Sequence, residues 1–154
     1  MTAKEYLKQI EKLDLMINNK IEEIAQWKDV ALKVTAFSEG ERVQSSSGKQ
    51  KMADAINRCI DIEAEVNQLI DNLYEVKRDI ISTIEQLNAT EYDLLHRVYV
   101  QHKTLQDVAD ECYRSYSNIT TLHGRALVSV QKILDERCRN EGLENVQEII
   151  ENRE

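Results

Sequence analysis

Residues 87–134 decide the fold of the C-terminal part of the chain, and their sequence is LNATEYDLLHRVYVQHKTLQDVADECYRSYSNITTLHGRALVSVQKIL. Ala109 is a small residue flanked by buried-type positions, and Ile119 and Leu122 follow it at distances of ten and thirteen residues. This spacing predicts two helices that cross at a steep angle around a short turn, a helix-turn-helix. The apolar stripe of its second helix continues through Ala126, Val130 and Ile133.

Capping signals predict where these helices begin. Thr104-x-x-Asp107 is typical of the start of the first helix, and Ser115 or Ser117 can cap the second. Thr90-x-x-Asp93 predicts a third, preceding helix, whose apolar side is formed by Leu94, Leu95, Val98 and Tyr99. Residues 88–140 are therefore interpreted as a three-helix domain.

The first 87 residues have the pattern of two long helices. In the first, apolar residues recur in steps of three and four after a Thr2-x-x-Glu5 capping box, at Tyr6, Ile10, Leu13, Ile17, Ile21, Ile24, Trp27, Ala31 and Val34. In the second, from about residue 52 to 87, the stripe is Met52, Ile56, Cys59, Ile60, Val66, Leu69, Ile70, Leu73, Val76, Ile80, Ile84 and Leu87. The segment between them, residues 38–51, is rich in Gly and Ser and predicts a loop. Together they predict a coiled-coil-like antiparallel hairpin.

A two-helix hairpin buries only one side of each helix, which predicts association with further helices. The residues expected to meet inside the hairpin are Ile17, Ile24, Ile56, Leu73 and Ile80. Those expected to stay partly exposed are Leu15, Met16, Trp27, Ile62, Leu69 and Ile81. This pattern predicts a homodimer formed through the hairpin. The competing interpretation is that residues 88–140 fold back and cover the exposed side within one chain.

The composition agrees with an all-α protein. Charged residues make up 31% of the chain, aromatic residues 5%, and proline is absent, which suits long exposed helices and argues against sheets. Gly142 is the expected end of the last helix of the domain, followed by an acidic tail over residues 141–154. The predicted division is thus an arm (1–87), a helix-turn-helix domain (88–140) and a tail (141–154).

The net charge of −8 is unevenly distributed. Residues 1–90 and residues 141–154 each carry a net charge of −4, whereas residues 96–140 carry +2. Between Ser115 and Leu134 the basic residues are Arg125 and Lys132, and there is no acidic residue. Because neutralising phosphates drives DNA affinity, this segment is the part of the chain best suited to bind DNA, with modest, salt-sensitive affinity per copy.

Other classes of protein are disfavoured by the pattern. His96, His102 and His123 have no nucleophile or paired acid at a catalytic spacing, which argues against an enzyme. Cys59, Cys112 and Cys138 lack metal-ligand spacing, so we expect reduced thiols and neither a metal nor a cofactor. The longest apolar runs are too short for a membrane span, and the charged first residues predict no secretion signal. We therefore expect a cytoplasmic protein that does not contact a membrane.

Helical spacing also predicts which side chains of the second helix face outward. Asn118 and Thr121 are candidate base readers, since amides and hydroxyls hydrogen-bond base edges, and Arg125 and Lys132 are candidate phosphate anchors. His123 is interpreted as a contact to the DNA backbone or a packing residue. The complete set of candidate DNA-binding residues is Ser117, Asn118, Thr120, Thr121, His123, Arg125 and Lys132.

Residues 87–134 resemble region 4 of sigma-70-type factors, through Leu87, the segment from Ser115 to Ile119, and Arg125-Ala126-Leu127. The whole chain resembles small regulators of Gram-positive bacteriophages and prophages, similar to those called ArpU and RinA, in MTAKEYLKQIEKLD, VQSSSG and KTLQDVA…LHGRAL. The resemblance implies a transcription regulator that binds double-stranded DNA and acts with host RNA polymerase. It departs from the family at the turn, where Gly and an apolar or aromatic residue are usual and this chain has Tyr113 and Arg114. Tyr113 would need a positive φ to keep the usual turn, so a reshaped turn and weaker DNA binding are expected.

Two other interpretations stay open at this point. A DNA-packaging protein of the terminase small subunit type also joins a helix-turn-helix to a helical oligomerisation hairpin, and it would form a ring of many copies. A structural coiled-coil adaptor would make no DNA contact.

Overall fold

The structure is a computed structural model that describes the backbone of residues 1–40 and 46–151 and the side chains of residues 1–34, 36 and 47–142. These residues form helices and turns without any strand, which confirms the all-α prediction. The helices are α1 (Ala3–Leu7), α2 (Gln9–Gly40), α3 (Ser46–Ile84), α4 (Ala89–Leu95), α5 (Leu105–Glu111) and α6 (Tyr116–Glu151), with a π-helical turn at His96–Val100. None of the helices in the described part combines the length and the apolar character needed to span a bilayer.

The N-terminal helix begins as expected but is not continuous. Thr2 and Glu5 form the predicted capping box. The prediction of a single long helix from Tyr6 onward is wrong in one detail, because α1 ends at Leu7, Lys8 is its C-cap, and α2 starts at Gln9. Lys8 keeps nearly helical backbone angles (φ −74°, ψ −5°), so the interruption is a local loosening of one turn rather than a change of direction.

The loop predicted over residues 38–51 is much shorter in the structure. Helix α2 continues to Gly40 and α3 already begins at Ser46, which leaves residues 41–45 outside the described part of the chain. Ser and Gly are weak helix formers, but their cost of up to ~1 kcal/mol per residue is small enough for adjoining helical turns to outweigh.

The chain divides into two compact units, residues 12–75 and residues 1–11 with 76–154. In the first, the buried residues of α3 are Ala55, Cys59, Ile62 and Val66, in steps of four, three and four. Ile17 of α2 packs against Ile62 and Val66, with Ile24, Trp27, Leu69 and Leu73 around them. Lys20 pairs with Glu65, and Glu23, farther along α2, pairs with Arg58, which lies earlier in α3. The two helices are therefore antiparallel within this unit. The stripe predicted for α3 is correct at Cys59 and Val66, but it is wrong at Ile56, Ile60 and Ile70, which are exposed, and it omits the fully buried Ile62.

In the second unit, residues 1–11 and 76–87, which were assigned to the arm by sequence, belong with residues 88–154. Tyr6 is buried and its hydroxyl hydrogen-bonds to Asp79 and to the fully buried Thr83. The backbone N–H of Ala3 donates to the side chain of Gln131 over 2.7 Å, which ties the start of the chain to α6. These contacts brace the middle of α6.

Two predicted helix ends differ in the structure. Helix α4 is capped by Asn88, whose side chain accepts from the backbone N–H of Glu91, so the start predicted at Thr90 is wrong by two residues. Helix α6 runs through Gly142 to Glu151, so the predicted stop at Gly142 is also wrong. Neither Gly124 nor Gly142 adopts the left-handed conformation that ends helices at glycine.

Candidate nucleic-acid interface

Helix α5 begins at a fixed point. The Thr104 hydroxyl accepts from the backbone N–H of Asp107, and the Asp107 carboxylate accepts from the backbone N–H of Thr104, which confirms the predicted capping box. Hydrogen bonds from the side chain and backbone of Thr104 hold the pKa of Asp107 below its usual value. The cap therefore stays charged and intact at neutral pH.

A tight contact joins α5 to α6. Val108, Ala109 and Ile119 are each 1% exposed, and they form one cluster with Leu94 of α4. Ala109 is buried at this contact as predicted, because its methyl group lets the two helices approach closely. Partly buried Val98, Leu105, Cys112 and Leu122 complete the cluster.

The turn between α5 and α6 contains the residue that departs from the family pattern. Tyr113 has φ 53°, so the left-handed residue of the turn is kept although it is not glycine. The backbone N–H of Arg114 then donates to the carbonyl of Ala109 over 2.9 Å and closes the end of α5. The turn is therefore not reshaped in the way expected from the sequence. The Tyr113 side chain is 98% exposed and lies at the tip of the turn.

Ser115 caps α6. Its hydroxyl accepts from the backbone N–H of Asn118 over 3.2 Å, which selects Ser115 over Ser117 of the two predicted caps. The backbone N–H groups of the first helical turn point out of the helix at this end, where the helix dipole favours an anion such as a phosphate.

The outward side of this end of α6 carries most of the predicted residues. A surface depression is lined by Arg114, Ser115, Ser117, Asn118, Thr121, Leu122 and Arg125. Thr120 and Lys132 are exposed but lie outside the depression, and Lys132 is seven residues beyond Arg125, roughly 10 Å along the helix. The Thr121 hydroxyl donates to the carbonyl of Ser117 over 2.9 Å, so toward a base edge it is an acceptor.

His123 is placed differently from the other candidates. Its ring stacks on Tyr99 with ring centroids 5.8 Å apart, and its Nε2 is 3.0 Å from the Tyr99 hydroxyl. The side chain is half-buried on the inner side of α6. Of the two roles considered for His123, this geometry supports packing.

The surroundings of His123 predict a pH dependence of stability. Burial lowers the pKa of the imidazole from its usual 6.5, and the charge of Lys4 acts in the same direction. The unfolded chain therefore binds a proton before the folded protein does, so the free energy of unfolding is full above pH ~6.5 and falls as the pH drops toward the folded-state pKa. Urea titrations between pH 8 and pH 5 measure this loss.

In His123→Gln, the decrease in the free energy of unfolding between pH 8 and pH 5 should be smaller than in wild type. The matched control is Thr120→Gln, which replaces an exposed residue of the same helix without changing a titratable group and should leave the pH dependence intact. An identical pH profile in wild type and His123→Gln would contradict the assignment.

The basic residues around the depression differ in whether acids neutralise them. Arg97 pairs with Glu111 at 2.6 Å and with Asp93 at 2.9 Å, and Lys103 pairs with Glu111 at 2.8 Å. Hydrogen bonds from Lys103 and Arg97 hold the pKa of Glu111 down against its desolvation. Within the part of the chain that the structure describes, Arg114, Arg125 and Lys132 form no ion pair. Uncompensated positive charge is thus concentrated at the start of α6 and along its outward side.

Sequence reasoning left out Arg114 and Ser115 as binding residues. Arg114 was considered only as a departure from the usual turn, although its place directly before a capping serine was a usable signal. The structure puts Arg114 and Arg125 on the same depression, on either side of Ser117 and Asn118.

Comparison with known proteins gives one relation of low identity. Over 102 residues, which are 66% of this chain, the sequence is 24% identical to the RNA polymerase sigma factor SigO of Bacillus subtilis (strain 168). The chain matches about half, 53%, of the length of that protein. No known family's sequence profile matches the chain. No solved structure matches it.

Proposed function

We propose that α5, its turn and α6 form a helix-turn-helix that places the start of α6 in the major groove of double-stranded DNA. The observation that carries this proposal is the depression at the start of α6, which is lined by polar side chains and by Arg114 and Arg125. Neither arginine forms an ion pair with a residue that the structure describes. The buried contact of Ala109 with Ile119 fixes the angle at which α6 is presented. A helix held in this way, with polar residues in its first turns, has the form that reads base edges in the major groove.

In this arrangement the residues have distinct roles. Asn118 is positioned to hydrogen-bond a base edge through its amide, and Thr121 to accept from one. Arg114, Arg125 and the free backbone N–H groups of α6 contact phosphates on both sides. Lys132 reaches a phosphate farther along the groove.

The protein, in this proposal, is a transcription regulator that acts with RNA polymerase. Support comes from the similarity to a sigma factor over two thirds of the chain. Residues 12–75 then serve as an antiparallel helical hairpin attached to the DNA-binding part, and the resemblance of the whole chain to phage and prophage regulators suggests control of phage-type promoters. Co-purification with bacterial RNA polymerase core enzyme tests the polymerase contact.

The DNA contacts are tested by the salt dependence of binding to a duplex library of random sequence. Arg125→Ala should weaken binding on all sequences and reduce the slope of log K against log [salt] by about one unit, because one phosphate contact is lost. Fluorescence anisotropy at several salt concentrations gives this slope.

Arg78→Ala is the matched control, since Arg78 is an exposed arginine on α3 and the same charge is removed. An unchanged slope in Arg125→Ala, or an equal decrease in both variants, would show that the outward side of α6 does not face DNA. A wild-type protein without any DNA affinity would favour the structural adaptor, and a ring of many copies would favour the packaging protein.

A further inference from the structure

Helix α3 has a second apolar row beside the buried one. Within residues 12–75 the buried row faces α2, whereas the second row points to solvent. Its large side chains are Ile56, Ile60, Ile70 and Tyr74, which are 43%, 57%, 46% and 69% exposed. Exposed apolar residues are normal when they are scattered singly, whereas four large ones along one side of a helix indicate an interface.

The row also has polar members and a fixed order. In sequence it is Ile56, Ile60, Glu63, Asn67, Ile70 and Tyr74, with steps of four, three, four, three and four. Such steps keep all six residues on one side of the helix. The row consists of two apolar residues, then two polar residues, then two apolar residues. This pattern is symmetric about residue 65, so it is the same when the helix direction is reversed.

An ion pair shows which side of α2 lies next to this row. Glu63 belongs to the row, and Lys28 of α2 approaches it at 4.0 Å, so the side of α2 that carries Lys28 adjoins the row. Ile21, seven residues before Lys28, and Leu32, four residues after it, lie on the same side of α2 and are 51% and 68% exposed.

The other side of the two helices is charged. There Glu23 pairs with Arg58 at 3.1 Å, and both residues are five positions before Lys28 and Glu63, which is about 140° around each helix. Lys20 and Glu65 pair at 2.6 Å beside them. The ion pairs Glu23–Arg58 and Lys20–Glu65 thus lie on one side, and the exposed apolar residues of α3 lie on the other.

We propose that this apolar side is the interface with a second copy of the chain, in which the two α3 helices pack antiparallel about a twofold axis near residue 65. Ile56 then meets Tyr74 of the partner subunit, and Ile60 meets Ile70 of the partner subunit. Glu63 meets Asn67 of the partner subunit, whose amide donates to the carboxylate. A parallel arrangement in the same register would instead set Glu63 against its own copy, which like charges disfavour. The self-complementary order of the row identifies the occupant as another copy of this chain.

The first test is the mass of the protein in solution, measured by light scattering after size-exclusion chromatography. Wild type should have twice the 17.9 kDa mass of the chain at micromolar concentration. The double variant Ile60→Lys/Ile70→Lys should be monomeric and retain its helical circular dichroism spectrum. Leu15→Lys is the control, because Leu15 is 60% exposed but points about 120° away from Ile21 around α2.

The second test exchanges the polar pair. Asn67→Glu sets two carboxylates against each other across the axis and should weaken the dimer at least tenfold. Adding Glu63→Lys to the same chain places opposite charges together and should restore the wild-type dissociation constant, measured by sedimentation equilibrium. A monomeric wild type, a ring, a dimer that survives Ile60→Lys/Ile70→Lys, or an Asn67→Glu dimer that Glu63→Lys does not restore would overturn the proposal.

Discussion

Replacing Ala109 by leucine will lower the free energy of unfolding by ~1–3 kcal/mol and remove DNA binding, because added methylene groups overpack a closed contact. Ala109 is 1% exposed and lies in one cluster with Val108 and Ile119, so a larger side chain must push α6 away from α5. The depression that we propose as the DNA contact is built on the first turns of α6. The angle between α6 and α5 would change, and the phosphate contacts proposed for Arg114 and Arg125 would be lost together.

Urea denaturation and fluorescence anisotropy with duplex DNA measure the two effects. Binding is compared at a temperature at which circular dichroism shows that the variant is folded, which separates misplacement of α6 from unfolding. Ala64→Leu, at an exposed position of α3, is the control and should change neither property. If Ala109→Leu had wild-type stability and affinity, the helix-turn-helix interpretation would be wrong.

Replacing Ile62 by alanine should lower the free energy of unfolding by ~2–5 kcal/mol. This is the usual range when a large aliphatic side chain in a packed core is replaced by alanine. Ile62 is 0% exposed and packs with Ile17 and Val66. The cavity would lie between α2 and α3, where the ion pairs Lys20–Glu65 and Glu23–Arg58 limit how far the helices can collapse onto it.

Equilibrium urea unfolding at a fixed protein concentration measures this cost. Leu15→Ala removes an exposed aliphatic side chain from α2 and should change stability by less than ~0.5 kcal/mol, as surface substitutions do. Equal effects of the two substitutions would show that Ile62 is not part of a core.

Local signals in the sequence predicted where three of the helices begin. Thr2, Thr104 and Ser115 cap helices because their hydroxyls satisfy N–H groups of the first turn, and this interaction involves residues only three apart. Asn88 was missed because Thr90 is an equally good capping residue two positions later. Whether Asn88 or Thr90 caps α4 depends on the backbone conformation between α3 and α4. The sequence of the first turn of α4 does not determine that conformation.

Hydrophobicity predicted only part of the buried row of α3, because it did not separate this row from the exposed one beside it. Two rows lie side by side on this helix, and the exposed one contains the more apolar residues, Ile56, Ile60 and Ile70. The buried row begins with the small Ala55 and Cys59, which allow α2 to come close, and the Cys59 thiol lies 3.9 Å from the carbonyl of Ile24. Side-chain packing against α2 decides which row of α3 is buried. The number of apolar residues in each row of α3 does not predict that packing.

The outward-facing positions on the first turns of α6 were predicted correctly, and these side chains are exposed in the structure. Helical spacing identified the outward positions Ser117, Asn118, Thr121 and Arg125 because α6 is regular from Tyr116 onward. His123 was assigned less well, since its environment is set by Tyr99, a residue 24 positions earlier, on the π-helical turn. Contacts over such a distance depend on the tertiary packing of the unit.

The continuity of α6 from Tyr116 to Glu151 bears on how an acidic protein can bind a polyanion. Ser117 and Glu141 are separated by 24 residues of one helix, which holds them roughly 36 Å apart. The Debye length at physiological ionic strength is only about 8 Å, so counterions cancel the field of the acidic end long before it reaches the first turns. A phosphate bound as proposed at Arg114 or Arg125 would therefore be screened from the net charge of −4 on residues 141–154.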